Sequence, residues 1–463
     1  MALIKSISGI RGTIGGHPGE ALTPIDTVKF AAAYGTWLKS KKGKKVVIGR
    51  DARISGEMIS NLVSNTLQGL GLDVVDLGLS TTPTVELAVP LEDADGGIIL
   101  TASHNPIQWN ALKLLNREGE FISAEDGKKI LDLAASESFD FAPVEKLGKY
   151  KVAKDYFKKH IALVKKYPLV DVKAIKKAKF KIAIDAVNST GGIVIPALLE
   201  ELGVKKIKKL YCTPNGEFPH NPEPLPENLK EISKLVVKGK YDLGIVVDPD
   251  VDRLALIQED GKPFGEEYTL VAVAEYILSK KKGSTVSNLS STRALRDVTE
   301  LAGEKHSAAA VGEVNVVSEM KRVKAVIGGE GNGGIIVPDF HYGRDALIGI
   351  GLFLSHLAKS GLTASALRKS YPAYHISKNK IELTPDINVD EVLERVKSKY
   401  KNEKINTIDG VKIDFDEQKE WVHLRKSNTE PIIRIYAESQ NEKKADALAE
   451  RMIADIKELI NKN

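Results

Sequence analysis

Gly244-Ile245-Val246-Val247, running straight into Asp248-Pro249-Asp250-Val251-Asp252-Arg253, decides how this chain is read. A short β-branched apolar run that stops at a polar turn reads as a buried strand delivering a loop. The loop carries three alternating carboxylates. On an extended segment a period of two sends all three to one side, where they repel unless a cation sits among them. Hard oxygen ligands suit Mg²⁺, which keeps some of its waters and takes a substrate phosphate oxygen as a further ligand. An EF-hand calcium loop is the rival reading, because Glu259 falls at its twelfth position. Arg253 stands where that loop needs Gly, and a strand rather than a helix precedes it. A solvated acidic turn is the bland alternative.

The same passage from strand to polar loop recurs. Gly96-Gly97-Ile98-Ile99-Leu100 leads into Thr101-Ala102-Ser103-His104-Asn105-Pro106, and Ala325-Val326-Ile327 into Gly328-Gly329-Glu330-Gly331-Asn332-Gly333-Gly334. Val46-Val47-Ile48 precedes Gly49-Arg50-Asp51-Ala52-Arg53, and Ile182-Ala183-Ile184 precedes Asp185 to Gly192. Helical periodicity fits 57–70, 196–202 with Pro196 in the first turn, 268–278, 345–357 and 443–460. Strands alternating with helices make an α/β chain. From about residue 370 charge rises, two strands appear at 422–424 and 432–436, and a long amphipathic helix follows, which reads as a smaller α+β domain. The expected division is 1–145, 146–257, 258–369 and 370–463, with no low-complexity linker between domains.

Length and composition bound the function. A chain of 463 residues needs several cores, and 42% apolar with 28% charged residues is ordinary folded usage. The 67 basic and 62 acidic residues leave +5, too small an excess for nucleic acid as the main partner. Basic clusters such as 39–45, 205–209 and 280–282 hold no interleaved aromatic residues, so they read as solvated helix ends and loops. Cys212 is the one cysteine; no disulfide or zinc pair is possible within the chain, and a reducing cytoplasm is the expected compartment with Cys212 packed as a small hydrophobe. The N-terminus lacks an apolar signal core, and 346–354 is half a membrane span, so no membrane partner is expected.

Three more loops hold chemistry. Ser103 follows a buried strand, a setting that presents a hydroxyl for phosphorylation or attack, although Ser, His and Asn before Pro also serve plain turns. Ser103 and His104 would point apart on extended backbone, and Lys113 could reach back as a base if a cleft lowered its pKa. The glycines of 329–334 let backbone approach a ligand while Glu330 and Asn332 offer hydrogen bonds to sugar hydroxyls. That run lacks the features of a nucleotide loop. Arg425-Lys426-Ser427-Asn428-Thr429-Glu430-Pro431, with Arg434 beyond, has the donor inventory of a phosphate dianion site.

With these loops in this order, the chain resembles the α-D-phosphohexomutase superfamily over essentially its whole length. Thr101 to Pro106 is similar to that family's phosphoserine loop, Asp248 to Arg253 to its DxDxDR metal loop, 329–334 to its sugar loop and 425–431 to its phosphate loop. Ser8-Gly9-Ile10-Arg11-Gly12 resembles its N-terminal arginine motif, and 49–53 a further family segment. Some positions depart from the commoner forms: Ala111-Leu112-Lys113 follows Asn110 where Gly-x-Lys is usual, Asn332 and Gly334 stand for Ser and His, and Lys426 and Asn428 for the Pro and Gly of phosphoglucosamine mutases.

The resemblance implies three similar α/β domains with mixed sheets and a smaller C-terminal α+β domain around a central cleft. It implies a phosphate on Ser103 and Mg²⁺ held by Asp248, Asp250, Asp252 and a phosphoryl oxygen on Ser103. Arg11, His104 and Lys113 would serve catalysis, with Lys113 the general acid/base. Arg253, Glu330, Asn332, Arg425, Ser427, Asn428, Thr429 and Arg434 would bind the substrate. A hexose 6-phosphate and a hexose 1-phosphate would interconvert through a hexose 1,6-bisphosphate. The GEGNGG form of the sugar loop points to glucosamine phosphate, whereas the phosphate loop points to phosphomannomutase or phosphoglucomutase activity. A phosphosugar hydrolase or a noncatalytic sugar-phosphate sensor would use fewer of these residues. Oligomeric state is not legible.

Overall fold

The computed structural model describes residues 2–6, 9–382, 387–426 and 432–461. The chain forms two compact units, 1–276 with 332–367, and 277–331 with 368–463.

The first unit holds two mixed sheets. The larger has seven strands in the order Leu3–Ser6, Gly9–Thr13, Trp109–Leu115, Gly96–Leu100, Lys45–Arg50, Asp73–Leu79 and Tyr150–Val152. Strand Lys45–Arg50 pairs parallel with both neighbours, and the N-terminal hairpin joins antiparallel through Trp109–Leu115. The second sheet orders Leu254–Gln258, Leu243–Val247, Lys181–Asp185 and Lys206–Leu210, with the first pair antiparallel. Gly96–Leu100 and Leu243–Val247 are buried along their whole length, as strands covered by helices on both faces require. Helix Ala346–Ser360 is buried from Ala346 to Ser355, so the apolar stretch there is a core helix, capped by the Asp345 carboxylate on the amides of Leu347 and Ile348. Among the described residues no single helix is long and apolar enough to cross a membrane.

The second unit contains the parallel strands His306–Ala309, Thr285–Asn288 and Ile327–Glu330. It also holds a five-stranded antiparallel sheet in the order His375–Glu382, Ile432–Ser439, Glu420–Lys426, Val411–Phe415 and Lys404–Asn406, covered by helices Val389–Lys399 and Glu442–Asn461. The core of this sheet gathers Ile413, Val422, Leu424, Ile433 and Ile435 with Val396 and Met452 from the two helices. The chain thus has four sheets with their helices, three of the expected α/β class and the last α+β.

Three expectations are corrected. Helix Gly191–Glu201 starts five residues before Pro196, so the proline lies inside it rather than in its first turn. The strand expected at 325–327 runs over Ile327–Glu330: its glycines are strand residues, and a Cβ on Gly328 would lie 2.5 Å from Met320 Sδ and 2.8 Å from the Val286 carbonyl oxygen. Cys212 is partly exposed, not fully packed.

Candidate active site

Asp248, Asp250 and Asp252 are completely buried, and one oxygen from each lies within 4.8 Å of the others. They converge because the chain turns, not because it is extended. The Val251 amide donates to the Asp248 carbonyl at 3.1 Å, and Val251 adopts φ 64°, a left-handed conformation that a β-branched residue resists. The turn joins the antiparallel strands Leu243–Val247 and Leu254–Gln258. Glu259 lies outside the group: its carboxylate accepts from the Ser365 amide at 3.0 Å, so the calcium-loop reading fails.

Side chains from several parts of the same unit meet these carboxylates. Ser103 Oγ donates to Asp248 Oδ2 at 2.9 Å. Lys113 Nζ lies 2.7 Å from Asp250 Oδ2 and 3.4 Å from Asp252 Oδ2. Thr82 donates its hydroxyl to Asp250 Oδ2 at 2.5 Å, and Arg344 Nη2 donates to Asp252 Oδ2 at 2.7 Å. Asp250 Oδ1 and Asp252 Oδ1 remain buried without a hydrogen-bond partner among the described residues. Three carboxylates, two of them with an orphaned oxygen, and a hydroxyl make a hard-oxygen donor set, which fits Mg²⁺.

Electrostatics separates the members. Burial pushes the Asp248 carboxyl up, and Asp252 and Asp250 push it further. Burial opposes the charge on Asp250 as well, but the Lys113 ammonium outweighs it and holds that carboxyl below its usual range. Burial works against the Lys113 charge, yet Asp250 and Asp252 win and raise its pKa. Its surroundings therefore do not make Lys113 a free amine by desolvation.

Ser103 is buried and sits at φ 49°. This left-handed turn brings Ser103 Oγ within 3.4 Å of His104 Nδ1, where extended backbone would have separated them. Burial, then the Arg253 charge, lowers the His104 pKa to about 3, so its ring is neutral near pH 7. Arg253 Nη1 lies 3.3 Å from Glu223 Oε1, and the Arg253 amide donates to Asp248 Oδ1 at 3.1 Å. Arg11 is exposed on strand Gly9–Thr13, opposite Ala111, two residues from the Gly9–Lys113 pair and so on the same sheet face as Lys113. Asn332 Oδ1 accepts from the Gly334 amide at 3.2 Å, closing its own turn.

In the second unit, Glu330 ends its strand buried, accepting from Asn288 Nδ2 at 2.9 Å and the Gly312 amide at 3.2 Å. Arg425 Nε lies 2.8 Å from Asp409 Oδ2, and Arg434 stands exposed opposite Arg425. Ser427, Asn428 and Thr429 lie outside the described residues.

Thr82, Arg344 and the Asp51–Arg53 pair were missed as members of the site. A signal for the last two was present: Gly-Arg-Asp-Ala occurs at 49–52 and again at 343–346, each time close to a predicted strand or helix end.

Four domain families of phosphoglucomutase/phosphomannomutase match in order: α/β/α domain I over 3–141, domain II over 155–261, domain III over 265–374 and the C-terminal domain over 380–455. The chain belongs to the phosphoglucomutase/phosphomannomutase family. A phosphoglucomutase/phosphomannomutase of Thermococcus kodakarensis is 36% identical over 440 residues, 94% of this chain and 95% of that one. A probable phosphoglucosamine mutase of Pyrococcus abyssi is 33% identical and spans 98% of both chains. The crystal structure of a putative phosphomannomutase from Thermus thermophilus superposes with a TM-score of 0.83 at 26% identity, covering 98% of this chain and 99% of that one.

Proposed function

We propose that this member of the phosphoglucomutase/phosphomannomutase family is a phosphohexomutase, an isomerase that converts hexose 6-phosphate to hexose 1-phosphate through a phosphorylated Ser103 and a hexose 1,6-bisphosphate. The observation that carries the reading is the hydrogen bond of Ser103 to Asp248, one of a buried triad of aspartates. A lone reactive serine has no use for three such carboxylates, whereas phosphoryl transfer depends on balancing the charge of the moving group.

In the first half-reaction the bond from Ser103 Oγ to phosphorus breaks as the sugar hydroxyl bonds to phosphorus, and the hydroxyl proton is balanced by one delivered to the freed Ser103 Oγ. In the second the bisphosphate returns its other phosphoryl group to Ser103, and a proton returns to the freed sugar oxygen. Asp248, Asp250 and Asp252 would hold Mg²⁺, which when bound supplies charge neutralisation for the carboxylates and phosphoryl oxygens. Lys113 is assigned the proton relay: charged between the carboxylates it meets, its ammonium gives a proton to the leaving oxygen and takes one back from the attacking hydroxyl, so its charge is unchanged over the step. Neutral His104 offers a hydrogen bond, not a charge. Arg11 and Arg253 are assigned to phosphoryl oxygens; Glu330 and Asn332 to sugar hydroxyls; Arg425, Ser427, Asn428, Thr429 and Arg434 to the phosphate that does not react. The family resemblance supports these assignments, as it does the division at residues 145, 257 and 369.

For the sugar we propose glucosamine phosphate, supported by the GEGNGG loop and by the relative from Pyrococcus abyssi. Lys426, Asn428 and the relative from Thermococcus kodakarensis favour glucose and mannose phosphates as a second reading. A coupled assay on the 1-phosphates of glucosamine, N-acetylglucosamine, glucose and mannose decides between them by kcat/KM. Normal mutase turnover by Ser103→Ala would overturn the phosphoserine reading, and steady release of inorganic phosphate would make the protein a hydrolase.

A further inference from the structure

The Asp51–Arg53 ion pair is more than a neighbour of the serine loop. Arg53 is 1% exposed, a rare state for a guanidinium, and spends its donors on one short stretch of backbone. Nη2 donates to the carbonyls of Ser103 and Asn105, and Nη1 to those of Pro106 and Trp109. Nε donates to Asp51 Oδ2 at 3.1 Å. The same Asp51 oxygen accepts from the Thr101 hydroxyl at 2.7 Å, and Thr101 Oγ1 accepts in turn from the Ser103 amide at 2.9 Å.

Both peptide groups of Ser103 are therefore tied to one buried ion pair: its amide through Thr101 and Asp51, its carbonyl directly through Arg53. Ser103 between them holds φ 49°, a conformation that non-glycine residues keep only when their surroundings over-determine it. The Phe218 ring covers the guanidinium at 5.0 Å, which keeps the pair dry and its bonds strong. Arg53 has a second effect: four carbonyl oxygens between Ser103 and Trp109 are held on a cation.

We propose that Asp51, Arg53 and Thr101 form a clamp that positions Ser103 for phosphoryl transfer, fixing its left-handed backbone and holding the carbonyl oxygens of its loop on a cation. These are positioning residues: none need touch the substrate. The inference rests on the mutase reading above for its kinetic consequence and on geometry alone for the clamp.

The test compares Thr101→Val, which keeps the shape and removes the hydroxyl, with Thr101→Ser, which keeps the hydroxyl. Protein phosphorylated on Ser103, verified by intact mass, is mixed with a hexose 1-phosphate in a single turnover. Thr101→Val is expected to transfer its phosphoryl group roughly 10- to 100-fold more slowly, with KM changed less than about threefold, and Thr101→Ser to recover most of the rate. Arg53→Lys is expected to lose rate at least as severely. Hydrogen exchange reads the clamp without chemistry: the Ser103 amide loses protection in Thr101→Val and keeps it in Thr101→Ser. Transfer by Thr101→Val at the native rate, or an equal rate loss in both Thr101 variants that tracks their melting temperatures, overturns the proposal. If native protein never carries phosphate on Ser103, the mutase reading falls, and the exchange comparison still decides the clamp.

Discussion

Arg425 stands directly opposite Arg434 across the antiparallel strands Glu420–Lys426 and Ile432–Ser439. Like charges in facing positions of a sheet destabilise it by roughly 0.2–1 kcal/mol. Asp409, 2.8 Å from Arg425, answers one of the two charges. The Arg434 side chain is exposed, and the proposed function assigns it to the substrate phosphate. Arg434→Gln is expected to leave the melting temperature in low-salt, phosphate-free buffer unchanged or slightly raised. The same variant should raise KM for the sugar phosphate about tenfold or more, the scale of a lost charged hydrogen bond. An unchanged KM would remove Arg434 from the phosphate site.

Gly9 pairs with Lys113 in the strand register, at φ 147°. A Cβ there would lie 2.3 Å from the Leu112 carbonyl oxygen and 3.0 Å from Lys113 Cα, both backbone atoms that cannot swing aside. Gly9→Ala is expected to cost on the order of 2–3 kcal/mol and, by displacing the strand that carries Lys113, to lower kcat at least tenfold. Gly19→Ala is the control: φ is positive there too, but nothing lies within 4 Å of the added carbon. Chemical denaturation and steady-state kinetics read both. Full activity in Gly9→Ala would show that the hairpin does not set the position of Lys113.

Glu438 is fully buried in the second unit, accepting from Trp421 Nε1 at 2.7 Å and the Arg293 amide at 2.9 Å. Burial pushes its pKa up to about 7. The folded state thus binds a proton that the unfolded chain releases near pH 4.5. The stability associated with the protonated form is complete below about pH 4.5 and is lost as pH rises through about 7. Glu438→Gln keeps an acceptor for Trp421 and has no proton to lose, so its unfolding free energy should be flatter between these limits and exceed that of the native protein at pH 8. A pH series of urea melts checks this; parallel curves for the two proteins would show that Glu438 is not the titrating group.

What the sequence made legible was local. Apolar runs ending at Leu100, Ile184 and Val247 marked strand ends to within a residue, and alternating aspartates marked a candidate cation site, because strand burial and charge repulsion act over a few residues. Other features depend on partners distant in the chain. Lys113 meets Asp250 and Asp252 across more than 130 positions, so its raised pKa has no local sign. Arg53 reaches carbonyls some fifty residues away, and backbone acceptors leave no residue signature. Val251 at φ 64° hides the turn that gathers the triad, since propensity alone would make a valine extended. The role of Gly328 as a strand residue rests on Met320 and Val286, which periodicity could not pair with it.

In the proposed function the triad trades stability for chemistry. Burial, with Asp252 and Asp250, raises the Asp248 carboxyl, so in metal-free protein the folded state favours its protonated form. Metal-free stability should therefore fall as pH rises through that raised value. A divalent cation requires the carboxylates deprotonated and stabilises the fold by mass action, about 2.7 kcal/mol at a hundredfold excess over Kd. Added Mg²⁺ is thus expected to raise the melting temperature, and to do so more at pH 8 than at pH 6. Asp248→Asn relieves the repulsion while keeping an acceptor for Ser103. It should melt higher than the native protein in chelator, respond little to Mg²⁺, and lose phosphoryl transfer by two or more orders of magnitude, roughly. Calorimetric melts with chelator and with Mg²⁺ at both pH values test all three parts. If Asp248→Asn were less stable than the native protein in chelator and kept the native response to Mg²⁺, the three carboxylates would be neither in mutual repulsion nor a metal site.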